Sequence, residues 1–368
     1  MSAQTLAEKL ISKNHMGINI ASVTIGVGIL TFPRTLAKAT GAFDGWISVI
    51  LSGLIAWIIG CMLAKLAARF PRQTFFEYTS IIASKPVGFV LTSVVCVYTM
   101  MFVSFEIRAI GNIAKQYLFY NTPVEMITLS FLLIVQYAVA GSRIAMLRLN
   151  LLFLPVVFVV IAIVLLFTTQ LVEIENVRPF FSSDWRSLLK GTEGVGLSYS
   201  GFEIILFYTM LMRNPQDGPR AIALGLAIPV LLYLTIYMFV IGVFSAEVAK
   251  NLTYPTIELA KEVEIPGGFF ERVESIFFTI WIMTIFNTCA MWLDITIINL
   301  TSMFRRITKI VWILILSPLI YFIAMLPQNL VDFFSFADRL TYSGFIIVYL
   351  IPIILLLMAK MRGVKGHE

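Results

Sequence analysis

Two short glycine-rich stretches hold the residues best placed to do chemistry. "TIGVGIL" puts Gly26, Val27 and Gly28 in the middle of one apolar run, and "GTEGVGLSYSGFEI" puts Gly191, Gly194, Gly196, Ser198, Tyr199, Ser200 and Gly201 in another. Glycine disfavours a continuous helix by up to ~1 kcal/mol relative to alanine, so a cluster of it can open the helix. Opened backbone offers N–H groups to an anion and C=O groups to a cation. In hydrocarbon each such group is costly unless a cavity, water or ligand satisfies it, so an interruption at mid-membrane points to binding. The competing explanation is close helix packing, which Gly191, Gly194 and Gly201 can serve on their own. Two clusters in corresponding places favour the binding site, with the amides of Gly26 to Gly28 presented to an anion.

The elements that position these residues follow from composition. Of 368 residues, 59% are hydrophobic and 13% charged, and the mean hydropathy is +0.91. This predicts an all-α integral membrane protein forming a single transmembrane domain. Apolar windows and breakers give ten spans, at about 15–36, 45–68, 87–119, 123–140, 145–170, 187–212, 219–245, 269–300, 307–326 and 340–360. The glycine clusters fall in the first and sixth. Five spans per half is an odd number, so the second half enters the membrane upside down relative to the first. The expected architecture is an inverted repeat, with repeat one at about 15–170 and repeat two at about 187–360.

With both termini cytoplasmic, the inner segments collect most of the 27 basic residues, while the outer segments hold most of the acids. The net charge of +6 then reflects orientation in the lipid bilayer, and nucleic acid is not an expected partner. Two outer loops, 171–186 and 246–268, exceed simple turns; the second contains "PTIELAKEV", a short amphipathic helix expected over the outer face. Either loop serves as a lid or as ordinary surface. A polar start and a long first apolar run argue against a cleaved signal peptide. Cys61, Cys96 and Cys289 lie far apart in apolar segments, and His15 and His367 lie near the termini. No metal site or cofactor is expected. No nucleophile triad, phosphate loop or metalloprotease motif is present, so the chain is not expected to be an enzyme.

Several stretches together resemble one family. "GVGILTFPR", "SFEIRA" at Ser104 to Ala109, "VRPFF", "GFEIILF", "YPTIELAKEVEIPGGFFERVESIFFTIWI" and "GFIIVYLIPIILLLMA" occur in order along essentially the whole chain. They look like the B subunit of GerA-type spore germinant receptors, the endospore germination permeases related to amino acid, polyamine and organocation transporters. The resemblance implies ten transmembrane helices in a LeuT-like 5+5 inverted repeat with helices 1 and 6 broken. It also implies residence in the spore inner membrane and partner A and C subunits.

In such an arrangement helices one, three, six and eight face the central site. On helix three, Tyr98 falls where the family places a ligand-contacting tyrosine, and on helix eight Thr288 matches a pocket position, beside Asn287. The resemblance thus adds Tyr98 and Thr288 to the ligand-binding set of Gly26, Val27, Gly28, Ser198, Tyr199 and Ser200. Core packing for Tyr98, and bonding back to its own helix for Thr288, stay open. Glu106, Glu203 and Asp294 lie in or near spans and need partners, because a bare carboxylate in hydrocarbon is costly. Arg108 is one candidate for Glu106, and both Glu106 and Glu203 serve as gating or structural anchors, or as proton carriers. The fifth span lacks the lysine found in some proton-coupled relatives, which leaves coupling by that route in doubt. The expected function is nutrient sensing, with a small-molecule germinant, first of all an amino acid, in the pocket. The alternative is an ion-coupled secondary amino acid transporter, and a sugar or nucleoside ligand stays open.

Overall fold

A computed structural model describes residues 10–263 and 273–366. Residues 264–268 of the second outer loop, 269–272 of the expected eighth span, and His367 lie outside the described residues. The first helix, α1 (Lys13–Thr24), starts where the Ser12 hydroxyl accepts from the His15 amide at 3.3 Å. The same span resumes as α2 (Gly28–Thr40) after a bend of 59°. The first half continues through α3 (Gly45–Ala68), α4 (Phe75–Ile82), α5 (Lys85–Tyr117), α6 (Val124–Ala140) and α7 (Arg143–Thr168). The second half opens with α8 (Trp185–Gly194), loses α-helical form through residues 195–201, and resumes as α9 (Phe202–Leu211). There follow α10 (Gly218–Ala249), α11 (Pro255–Lys261), α12 (Val273–Met303), α13 (Lys309–Met325), α14 (Leu330–Gly344) and α15 (Ile351–Met361). The last two are joined by a π-helical stretch, Phe345–Leu350.

Among the described residues six helices are long and apolar enough to cross a bilayer, and α1 with α2 makes a bent seventh. The shorter apolar helices α6, α9 and α13 stand where the fourth, sixth and ninth spans are expected. Large apolar side chains such as Leu133, Leu166, Leu314 and Phe322 point outward, as lipid-facing residues must.

Three local expectations need correction. The last long helix runs Leu330–Met361, starting ten residues before the expected 340. Its first turns carry the charged residues Asp332, Asp338 and Arg339 and fall outside the apolar window. They are helical because Asn329 caps the Asp332 amide at 2.9 Å and Phe333 stacks on Phe105 at 4.8 Å. Helix α4 was not expected at all, yet Thr74 and Glu77 form a reciprocal capping box at its start. Helix α11 does form within "PTIELAKEV", but it is embedded rather than laid over the surface. Pro255, Ile257, Leu259 and Ala260 are buried, and the Thr256 hydroxyl donates to the Ile29 carbonyl at 2.7 Å.

Packing fixes the broken spans against straight ones. Helix α10 lies along α1 and α3, α8 packs on α2 and α3, and α12 lies along α5 and α7. The N-terminal segment is tied to the end of the sixth span, where the Ile11 amide donates to Leu211 and the Arg213 amide to Ile11, both at 2.9 Å.

Candidate functional site

The first break is a stretch of backbone whose carbonyls are satisfied by side chains from other helices. Thr288 Oγ1 lies 3.2 Å from the Val23 carbonyl, Tyr233 Oη 2.8 Å from that of Thr24, and Trp281 Nε1 donates to Gly26 at 3.3 Å. Opened backbone is tolerable in hydrocarbon only with such partners. Among the amides, Gly26 donates to the Thr24 carbonyl at 3.0 Å, and that of Val27 points at the Glu106 carboxylate. A Cβ on Gly26 would stand 3.1 Å from Glu106 Oε1. The Glu106 carboxyl therefore already stands at the start of α2. Of the three amides expected to await a ligand, those of Gly26 and Val27 thus have partners within the chain, Val27 meeting a carboxyl from α5, while Gly28 lines a cavity.

The sixth span breaks differently. Residues Gly196–Tyr199 form a tight 3-10 turn, and Gly201 takes φ +133°, a conformation that L side chains rarely adopt. The Gly201 amide donates to Glu203 Oε2 at 2.7 Å, so this half-helix also has a carboxylate at its start. Tyr199 Oη donates to the Val49 carbonyl at 3.0 Å, and the hydroxyls of Ser52 and Ser48 hold the carbonyls of Thr192 and Leu188 at 2.7 and 2.8 Å.

The two breaks cross in contact. A Cβ on Gly28 would fall 2.6 Å from the Ser198 Cα, and one on Gly201 would fall 2.7 Å from the Thr24 amide nitrogen. Tyr233 Oη lies 2.8 Å from both the Thr24 and the Ser198 carbonyls, so a single hydroxyl serves both breaks and can donate to only one at a time.

Two cavities flank this crossing. The first, about 280 Å³, reaches down past Lys190, Glu193 and Asp338 to Gly28, Glu106 and Ser198, with Thr31, Thr35, Phe102 and Phe334 in its walls. The second, about 540 Å³, lies on the other side of Leu197 and contains Tyr98, Tyr199 and Ser200 with Ser52, Gly344 and Tyr349. The Ser200 side chain reaches the hydroxyls of both Tyr98 and Tyr349.

The structure thus divides the candidate residues. Gly28, Ser198 and Glu106 meet in the first cavity, and Tyr98, Tyr199 and Ser200 in the second. Gly26 and Val27 lie behind Glu106, and Thr288 lines neither cavity. Its hydroxyl is shared between the carbonyls of Val23 and Thr284 at 3.2 and 3.1 Å, which locks α12 to the first break. Asn287 reaches Ser22 Oγ at 3.5 Å. Glu106 does not pair with Arg108, whose Nη1 turns to Met325 Sδ at 3.7 Å. Asp294 is bound by Arg143 at 2.5 and 3.1 Å and by Tyr208 Oη at 2.9 Å, where it ties α7, α9 and α12 together. Among the described residues no three His, Cys, Asp or Glu side chains converge as metal ligands would.

Sequence reasoning missed Tyr233, Trp281 and Thr256, the donors that hold the first span's backbone. Tyr233 and Trp281 are unremarkable in apolar runs, and Thr256 sits in the short amphipathic stretch. The available signal was the need itself, because unwound carbonyls at mid-membrane require hydroxyl or indole donors on neighbouring helices.

The architecture is shared with solved transporters. MhsT in complex with L-phenylalanine superposes with a TM-score of 0.65 at 13% identity, covering 97% of this chain and 90% of that one. Mhp1, a nucleobase-cation-symport-1 family transporter in a closed conformation with bromovinylhydantoin bound, gives 0.66 at 12% identity, covering 96% and 94%. Sequence relatives are nearer. Spore germination protein GerLB of Bacillus cereus is 38% identical over 97% of this chain and 96% of its own length. Spore germination protein B2 of Bacillus subtilis is 32% identical over 91% of each. Residues 10–333 match the spore germination protein family as a whole, and the chain belongs to that family.

Proposed function

We propose that this chain is the nutrient-binding subunit of a spore germinant receptor, taking a small solute, foremost an amino acid, into the cavity at the crossing of its two broken spans. One observation carries the reading. The cavity of about 280 Å³ ends on Gly28, Glu106 and Ser198, where both breaks and a buried carboxylate meet. A solute bound there touches both broken spans and shifts their packing by its differential affinity for the two arrangements. MhsT holds L-phenylalanine in the same fold, which supports an amino acid.

The reading includes ten spans in two inverted repeats, at about 15–170 and 187–360, both termini in the cytoplasm, the spore inner membrane as location, and A and C subunits as partners. The cavity mouth then faces outward. Labelling of Thr308→Cys by an impermeant reagent applied outside would contradict that orientation.

Transport of an amino acid with a coupled ion is the second reading, favoured by the transporter neighbours. Proteoliposome uptake of labelled amino acids, with and without sodium or proton gradients, separates the two. The receptor reading expects binding without gradient-driven accumulation, and co-purification with other germination subunits. Sustained accumulation above equilibrium would establish the transporter.

A further inference from the structure

Glu106 is 2% exposed, and its Oε2 has no hydrogen-bond partner although it belongs to the floor of the 280 Å³ cavity. The Val27 amide answers the carboxylate from the side of the break. The nearest cation on its own helix, Arg108, faces Met325, and no ion pair to Glu106 forms among the described residues. Lys190 stands at the exposed mouth rather than on the floor. A carboxylate in so dry a place is costly without a countercharge, and its Oε2 is buried with no partner at the edge of the cavity.

We infer that Glu106 is the docking point for the ammonium group of the solute, so that the cavity selects for a primary amine rather than for a carboxylate. This rests on the proposed reading of the cavity as a solute site, and it reverses the polarity that the glycine amides suggested. The surroundings favour an organic cation. Phe102 offers an aromatic ring, which attracts ammonium groups, and Ser198 lines the same cavity with a hydroxyl acceptor, while the Phe334 ring already carries the Arg34 guanidinium at 4.8 Å. A bare metal cation asks for a fuller shell of oxygens than this floor supplies. The other end of the solute is then directed up the cavity, toward a mouth where Lys190 stands with Glu193 and Asp338.

The test uses the purified full chain in lipid nanodiscs, with thermal stabilisation as the readout of binding. Five probes are compared: a pool of the twenty common amino acids, their N-acetyl derivatives, their amides, a pool of neutral sugars and nucleosides, and sodium chloride against choline chloride. The inference expects stabilisation by the free amino acids and by their amides, and none by the N-acetyl derivatives. Glu106→Gln should weaken that binding by about ten- to a hundredfold, the loss of one charge-assisted hydrogen bond, while Glu106→Asp keeps part of it. Stabilisation by the N-acetyl derivatives, or undiminished binding to Glu106→Gln, would overturn the inference. So would a sodium effect that vanishes in Glu106→Gln while the amines do nothing, since the cation would then be inorganic. Binding of sugars or nucleosides alone would overturn the ammonium site and leave the solute cavity standing, whereas no stabilisation by any probe would remove both. Should Glu106→Gln fail to fold, the probe series on the unaltered chain still decides.

Discussion

Gly28 and Ser198 touch through their backbones: a side chain begun at Gly28 would place its Cβ 2.6 Å from the Ser198 Cα. The two broken spans therefore form one joint, and the residues around it belong to both halves of the chain. At Gly26 the corresponding contact is 3.1 Å, to the tip of the Glu106 side chain.

Gly28→Ala should consequently be the more damaging of the two alanine substitutions. Backbone cannot yield as a carboxylate can, and overpacking typically costs about 1–3 kcal/mol. Germination dose–response curves measured alongside protein abundance should show a large loss of response in Gly28→Ala and a smaller shift in Gly26→Ala. Equal effects would mean that the contact between the breaks does not matter.

Tyr233→Phe removes the hydroxyl shared by the Thr24 and Ser198 carbonyls. Leaving a buried acceptor unpaired costs about 1–3 kcal/mol, so thermal stability in detergent should fall and the solute response should shift with it. A variant with unchanged stability and response would make the double contact incidental.

The Arg143–Asp294 pair ties α7 to α12. The Asp294 side chain is 1% exposed and that of Arg143 28%. Breaking a buried pair strands a charge, and either Arg143→Met or Asp294→Leu should destabilise by about 3 kcal/mol, while the double variant recovers much of the loss. Additive effects in a double-mutant cycle would show that the pair is not coupled.

Asp44 anchors the loop that follows α7. Its carboxylate accepts from the amides of Phe181 and Ser183 at 2.7 and 2.9 Å. Burial alone would raise its pKa, but these hydrogen bonds and that of Ser182 prevail and hold it below the usual 3.8. A carboxyl lowered on folding stabilises fully above its unfolded value, and the contribution is lost as the pH falls through the folded one. Protection of residues 178–184 from proteolysis should therefore persist down to about pH 4, fade only below it, and be absent at neutral pH in Asp44→Asn. A midpoint above pH 4, or an unaltered Asp44→Asn, would contradict this.

Much of the frame was legible in the sequence. Glycine clusters and apolar length placed the third span at 87–119 against the observed Lys85–Tyr117, and located both breaks. Their consequence for the ligand was not legible, because the group that meets the start of α2 comes from Glu106, far along the chain on α5. Spacing along one strand of sequence cannot show which helix delivers a carboxylate to another's break. The same holds for Thr288, whose pocket position on α12 proved to be a bond to the Val23 carbonyl. The start of the last long helix was hidden for a different reason: Asp332, Asp338 and Arg339 give its first turns a polar composition, although Asn329 caps them.

The central claim is that a solute occupies the cavity ending on Gly28, Glu106 and Ser198. Thr35 lines that cavity above its floor. Equilibrium binding of a radiolabelled pool of amino acids to the purified chain, compared with Thr35→Trp, tests the claim most directly, because an indole at that position fills the passage. The account predicts saturable binding to the unaltered chain and its loss in Thr35→Trp at equal protein stability. Equal binding to both, or no saturable binding to the unaltered chain, would contradict it.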